Sequence, residues 1–170
     1  MSAKTISVQE ILDAKKETLV LEHLNPEAPL DRQAGDPDIT SPGLALVGYT
    51  DRVPEGRMWV FGETEMTYLG TLEPEAAGAV LDGLFAFSVP AVFVSKGLDV
   101  PTYFLEVATR HGVPVLRTPR STKALYRFAK PFLELSLAPS TTLHGSLASV
   151  YGVGLLFVGE SGVGKSECVL

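Results

Sequence analysis

Leu155-Leu-Phe-Val158 runs directly into Gly159-Glu-Ser-Gly-Val-Gly-Lys-Ser166, which satisfies G-x-x-x-x-G-K-[ST], and Glu167-Cys-Val-Leu170 can begin a helix after it. A strand, a glycine-rich loop and a helix start in that order are the context a phosphate-binding loop requires. Gly159, Gly162 and Gly164 let the backbone turn its N–H groups inward around an anion, and the positive end of the following helix adds to the attraction. Glu160, Ser161 and Val163 complete the loop and count with it as phosphate-binding positions. Lys165 is expected to reach the outer phosphates, and the Ser166 hydroxyl to ligate Mg²⁺.

Those residues need elements to hold them. Thr141-Thr-Leu-His-Gly-Ser-Leu-Ala-Ser-Val150, a turn at Tyr151-Gly-Val-Gly154 and then Leu155-Leu-Phe-Val158 read as two strands joined by a tight turn. His144 then lies on the strand beside the one that feeds the loop. On spacing alone it reads equally as a structural histidine and as a site residue. Cys168 has no base placed for it and reads as a small core residue; Glu63 and Glu65 read as a solvated helix start, and His23 and His111 as structural.

Further upstream, Ser7 and Glu10 have capping-box spacing before Val8, Ile11 and Leu12, which predicts a helix over residues 5–14. Residues 25–42 hold Pro26, Pro29, Gly35, Pro37 and Pro42 and predict an irregular surface loop. Leu44-Ala-Leu-Val47, Met58-Trp-Val-Phe61, Ala91-Val-Phe-Val94 and Val113-Pro-Val-Leu116 read as strands. Helices are predicted to open at Pro74, Pro101 and Ser121, the last kinked or broken at Pro131. This alternation predicts an α/β domain over residues 1–135 with a parallel or mixed sheet, a boundary near Ala138-Pro-Ser140, and a second domain beginning over residues 136–170.

Composition bounds the partners. The 170 residues are 45% hydrophobic, and 14 Lys and Arg against 20 Asp and Glu give a net charge of −6, so no nucleic-acid partner is expected. A single cysteine, no signal-peptide pattern and no apolar run approaching about 18–20 residues predict a cytoplasmic protein without a membrane span. No His/Cys spacing suits structural zinc.

Thr141-Thr-Leu-His-Gly145, Val150-Tyr-Gly-Val-Gly154 and Gly159-Glu-Ser-Gly-Val-Gly-Lys-Ser-Glu167 together resemble the start of the kinase domain of HPr kinase/phosphorylase, and the Glu directly after Lys-Ser makes the match narrower than a generic phosphate loop. Leu30-Asp-Arg32, Pro42-Gly-Leu-Ala-Leu-Val-Gly-Tyr49, Pro90-Ala-Val-Phe-Val94 and Gly112-Val-Pro-Val-Leu-Arg-Thr118 extend the resemblance through the N-terminal part. It implies a bifunctional enzyme that uses ATP or pyrophosphate with Mg²⁺ to phosphorylate a serine of the phosphocarrier protein HPr, reverses the step by phosphorolysis, and works as a homohexamer in carbon-catabolite regulation. His144 matches the family's active-site histidine, so the resemblance implies His144 and Lys165 as catalytic residues. It further implies an N-terminal α/β domain similar to the uridine-nucleotide-binding domain of muramyl-peptide ligases. The chain then reads as truncated: that domain, followed by the opening β-hairpin and phosphate loop of an incomplete P-loop kinase domain, and itself inactive. The alternatives are a non-catalytic sensor or interaction domain and a small-molecule P-loop kinase.

Overall fold

The computed structural model describes residues 4–141, 143–160, 162, 164 and 167. In chain order these form β1 (Ile6–Ser7), α1 (Val8–Leu19), β2 (Glu22–His23), β3 (Gln33–Ala34), β4 (Ile39–Thr40), a 3-10 helix (Gly43–Val47), β5 (Met58–Phe61), α2 (Glu63–Gly70) and α3 (Pro74–Phe85), then β6 (Val92–Val94), α4 (Thr102–Arg110), β7 (Val115–Arg117), α5 (Thr122–Leu137), β8 (Gly145–Val150) and β9 (Val153–Val158). Two units result, Met1–Ala138 and Pro139–Leu170.

The first unit is built on a five-stranded sheet in the order β2-β7-β6-β5-β4. β4 to β7 are parallel, and β2 closes one edge antiparallel to β7. Successive strand residues point to opposite faces, so an all-apolar strand must be covered on both. Trp59, Phe61, Val92, Val94 and Val115 accordingly pack with buried residues of α3, α4 and the 3-10 helix, while Met58, Val60, Phe93 and Leu116 pack with those of α1 and α5. The result is a three-layer α/β/α unit. Asn25 ties β2 to the neighbouring turn: its amide donates to the Val113 carbonyl and to Thr109 Oγ1, and its Oδ1 accepts from the Val115 N–H at 2.8 Å.

α1 has the predicted capping box, with Ser7 accepting from the Glu10 N–H and Glu10 from the Ser7 N–H, but it runs on to the fully buried Leu19 before Val20 ends it at φ 53°. Burial of Leu19 holds a β-branched residue in a conformation normally left to glycine. Three other expectations are corrected. Residues 25–42 are not simply a surface loop, because β3 pairs with β1 and β4 with β5, burying Ala34 and Ile39; those partners are distant in sequence and leave no local signal. Leu44-Ala-Leu-Val47 is not a strand but lies in the 3-10 helix, with Ala45 and Leu46 buried and Leu44 and Val47 exposed. Two adjacent buried residues between exposed ones suit a helical turn, and a four-residue apolar run does not distinguish the two. Finally, of the kink or break expected at Pro131 the break does not occur: α5 continues through Pro131, which lies on its exposed side, where water can satisfy the carbonyl left without its N–H donor.

His23, on the edge strand β2, has a buried Nε2 without a hydrogen-bond partner among the described residues, and burial lowers its pKa below the ordinary histidine value despite opposing contributions from Asn25 and Glu27. Above that ordinary value, about 6.5, the group is neutral whether the chain is folded or not. Below it the unfolded chain takes up the proton first, so stability falls as pH drops toward the lower folded value. The urea midpoint should therefore decrease between about pH 7.5 and about pH 5.5 by less in His23→Gln than in the parent. Equal decreases would remove His23 as a cause.

Candidate functional site

The second unit is a β-hairpin. β8 and β9 pair antiparallel from Val150↔Val153 at the turn to Gly145↔Val158 at the open end. The turn is only Tyr151-Gly152, both at positive φ (50° and 81°), as a two-residue hairpin turn twisted to match its strands requires. The first strand starts later than expected, at Gly145, so Thr141, Leu143 and His144 lie outside the ladder.

Of the predicted site residues, His144, Gly159, Glu160, Gly162 and Gly164 are described. His144 is exposed and immediately precedes Gly145, and Gly145 pairs with Val158, the residue before the first loop glycine, Gly159. Gly159 and Glu160 follow β9 directly. Gly162 and Gly164 sit at φ 88° and 82°, a region that L side chains rarely adopt, which accounts for glycine at both. The Glu167 N–H donates to the Gly164 carbonyl at 3.0 Å, closing a turn at the end of the loop. A Cβ on Gly164 would lie 3.4 Å from Glu167 Oε2, so the Glu167 carboxylate folds back over that glycine. Ser161, Val163, Lys165, Ser166 and Cys168 lie outside the described residues.

Sequence reasoning passed over Gly145. A Cβ there would meet the Phe157 carbonyl oxygen at 2.6 Å and Leu156 Cδ1 at 3.0 Å, so the strand next to His144 accepts only glycine without moving backbone. The signal available was the His-Gly pair itself, a glycine inside an otherwise regular strand pattern. Gly145→Ala should open this end of the hairpin, at a cost of about 1–3 kcal/mol for a contact that cannot relax. Faster amide exchange at residues 145–147 and 156–158 would show it, and unchanged exchange would refute it.

Among the described residues of the first unit, the helix start that follows β5 is occupied by the chain's own carboxylates. After β5 the α2 N-terminus begins Gly62-Glu63-Thr64-Glu65, and the Gly62 N–H already donates to Glu65 Oε2 at 2.9 Å. Glu65 also accepts from Ser41, and Glu63 pairs with Lys96. A phosphate at that position would meet two carboxylates. Among the described residues no group of three or more His, Cys, Asp or Glu is placed to hold a metal, and no helix is long and apolar enough to cross a membrane.

The chain thus runs from an α/β unit through a hairpin into the glycine-rich sequence Gly159-Glu-Ser-Gly-Val-Gly-Lys-Ser166. Two family models match it in succession: HPr Serine kinase N terminus over residues 6–133 and HPr Serine kinase C-terminal domain over residues 135–170. The chain belongs to the HPr serine kinase family. It is 36% identical over 170 residues to the HPr kinase/phosphorylase of Geobacter sulfurreducens, covering 100% of this chain and 53% of that one. It is 42% identical over 147 residues to that of Brevibacillus brevis, covering 86% and 47%, and 37% identical over 150 residues to that of Bacillus subtilis, covering 88% and 48%. The chain thus spans about half the length of these curated relatives. Among solved structures it resembles the CBS and DRTGG domains of the regulatory region of Clostridium perfringens pyrophosphatase, a complex with diadenosine tetraphosphate. The TM-score is 0.51 at 16% identity, over 85% of this chain and 57% of that one, a likeness of fold alone.

These findings overturn two expectations. The chain is not to be described as an N-terminal domain with a truncated kinase opening, because models of both family domains match and together cover nearly all of it. Nor is its fold a muramyl-ligase-like nucleotide domain followed by an incomplete P-loop kinase. It is the bipartite HPr kinase arrangement, and its first unit fills with its own glutamates the helix end at which such a nucleotide domain could hold phosphate.

Proposed function

We infer that this chain carries the phosphate-binding loop of a bifunctional HPr kinase/phosphorylase acting in carbon-catabolite regulation. The observation that supports this most is the matching of both family domains over residues 6–133 and 135–170, with Gly159-Glu-Ser-Gly-Val-Gly-Lys-Ser166 inside the second. In this reading the loop amides from Gly159 to Gly164 cradle the phosphates of ATP or pyrophosphate, and Lys165 neutralises charge on the outer ones. Ser166 contributes its hydroxyl to Mg²⁺, which when bound draws charge off the bridging oxygens. His144, next to the strand residue Gly145, hydrogen-bonds a phosphate oxygen or positions an acidic group in this reading. In the forward direction the serine hydroxyl of HPr gives up its proton and takes the phosphoryl group, leaving ADP when ATP is the donor. In the reverse direction inorganic phosphate takes the phosphoryl group from phosphoserine, giving pyrophosphate and the free hydroxyl. A cytoplasmic homohexamer is the assembly this reading carries.

The test is transfer of labelled phosphate from ATP to the serine of HPr, together with phosphate-dependent release of pyrophosphate from seryl-phosphorylated HPr, by the protein that carries this chain. Both activities are expected. A protein that phosphorylates only a small molecule, or that binds HPr without either reaction, would sink the assignment.

The division into residues 1–135 and 136–170 belongs to the same reading. Limited proteolysis should yield a stable fragment ending within residues 128–142, a window that brackets Leu133, the last buried residue of α5, with the boundary set to about four residues. Early cleavage scattered through the first hundred residues would contradict an independently folding first domain.

A further inference from the structure

The charge of this acidic chain is unevenly spread. Residues 117–130 hold Arg117, Arg120, Lys123, Arg127 and Lys130, five of its 14 basic residues, without one Asp or Glu. The segment enters and forms the first half of α5, whose buried side is Leu125, Ala129 and Leu133. Lys123, Arg127 and Lys130 recur at helical spacing on the opposite side and are exposed, as is Arg120 just before the helix.

Some cations elsewhere in the fold pair with carboxylates, as Arg57 with Asp36, Lys96 with Glu63 and Arg110 with Asp82, whereas others such as Lys16 and Arg52 stand singly among the described residues; what sets residues 117–130 apart is the number of cations in so short a stretch. The ends of the basic segment are paired, Arg117 with Glu22 and Lys130 with Asp38. Between them Arg120, Lys123 and Arg127 have no carboxylate partner among the described residues. Three unmatched cations lie at the positive end of a helix, so the same face adds its dipole to theirs.

Apolar surface accompanies the charge. Phe128 is exposed, with the Arg127 guanidinium over its ring at 5.5 Å. Where the chain enters α5, a cavity of about 390 Å³ is lined by Val20, Leu21, Gly97 and Pro119, with Glu22 and Arg117. Val20 is half exposed despite its apolar side chain. Three cations without a carboxylate partner among the described residues, spread over eight residues from Arg120 to Arg127, are too few for a nucleic-acid backbone, whose binding needs several more phosphate contacts. They suit a short stretch of carboxylates flanking an apolar side chain.

We propose that the N-terminal half of α5 is a docking surface for an acidic segment of a partner protein, its carboxylates against Arg120, Lys123 and Arg127 and an apolar side chain in the notch beside Pro119. This surface is separate from the phosphate loop in sequence and carries binding rather than phosphoryl transfer.

The probe is a short fluorescein-labelled peptide of alternating glutamate and leucine, titrated into the 170-residue chain and followed by anisotropy and amide chemical shifts. Binding is expected, with shifts centred on residues 117–130. Raising salt to about 0.5 M should weaken it, because exposed charges are then screened beyond a few ångströms. Lys123→Glu with Arg127→Glu should weaken it about tenfold or more, while Lys123→Arg and Lys165→Ala leave it unchanged. The altered residues are exposed, and Arg120→Glu alone gives a second reading should the double variant not fold. The proposal is overturned if charge reversal leaves affinity unchanged or if the shifts lie elsewhere. It also fails if a single-stranded oligonucleotide displaces the peptide at equal or lower concentration, or if sedimentation shows that this face joins two copies of the chain.

Discussion

On the proposed function, replacing Lys165 with alanine should lower phosphoryl transfer to HPr by about 10³-fold while leaving the fold intact. The loop amides supply partial charges, but Lys165 is the one full positive charge that Gly159-Glu-Ser-Gly-Val-Gly-Lys-Ser166 contains, and Glu160 within it is negative. During transfer, negative charge builds on the donor's bridging oxygen, and a fixed cation there lowers the barrier more than it tightens the ground state. The loss should therefore appear mainly in kcat, with a smaller change in KM. Ser166→Ala should be nearly as damaging and should raise the Mg²⁺ concentration needed for half-maximal rate. Arginine at position 165 keeps the charge but spreads it over a wider planar group, so it should recover only part of the rate. A folded Lys165→Ala protein with the parent's turnover would place the phosphate site elsewhere.

The same residues show what a sequence discloses and what it withholds. The phosphate-loop pattern could be read because it is written in consecutive residues, and of its described members Gly162 and Gly164 have the positive φ angles that favour glycine. The capping box of α1 was legible for the same reason, since Ser7 and Glu10 bond to each other across one turn. Met58-Trp-Val-Phe61 announced a strand covered on both faces by containing no polar residue, and all four are buried. What failed depended on distant partners. β3 and β4 exist because Ile6 and Met58 bring edges for Ala34 and Ile39 to pair with, at separations that no local pattern records. The end of α1 at Leu19 is likewise fixed by burial against the sheet rather than by a stop signal in Ala14-Lys-Lys-Glu. In the hairpin the alternation was visible, but the need for glycine at 145 arises from the Phe157 carbonyl on the opposite strand. The nucleotide-domain expectation failed for a different reason. It carried a ligand over with a fold, whereas the α2 N-terminus is supplied by Glu65 from within the same helix.

Phe104→Ala should be the most destabilising single change in the first unit, about 3–5 kcal/mol. Phe104 is fully buried on α4 and meets two rings edge-on: Phe61 of β5 with centroids 5.1 Å apart at 87°, and Phe85 of α3 at 5.6 Å and 75°. One side chain thus joins a strand and two helices of the same layer. Alanine removes its apolar area and both ring contacts, and leaves a cavity whose walls belong to three elements that cannot all move inward together. For a domain of this size the total stability is about 5–15 kcal/mol, so the variant should lose a large share of it, and its Tm should fall by roughly 10–15 °C. Phe104→Leu keeps most of the volume but not the edge-to-face geometry and should cost about 1–1.5 kcal/mol. Phe128→Ala is the control: the same chemical change on an exposed face of α5 should stay within about 0.5 kcal/mol. Urea unfolding of the three variants separates ring geometry from bulk burial. If Phe104→Ala costs no more than Phe128→Ala, the packing of α3 and α4 on this sheet is not what holds the unit together.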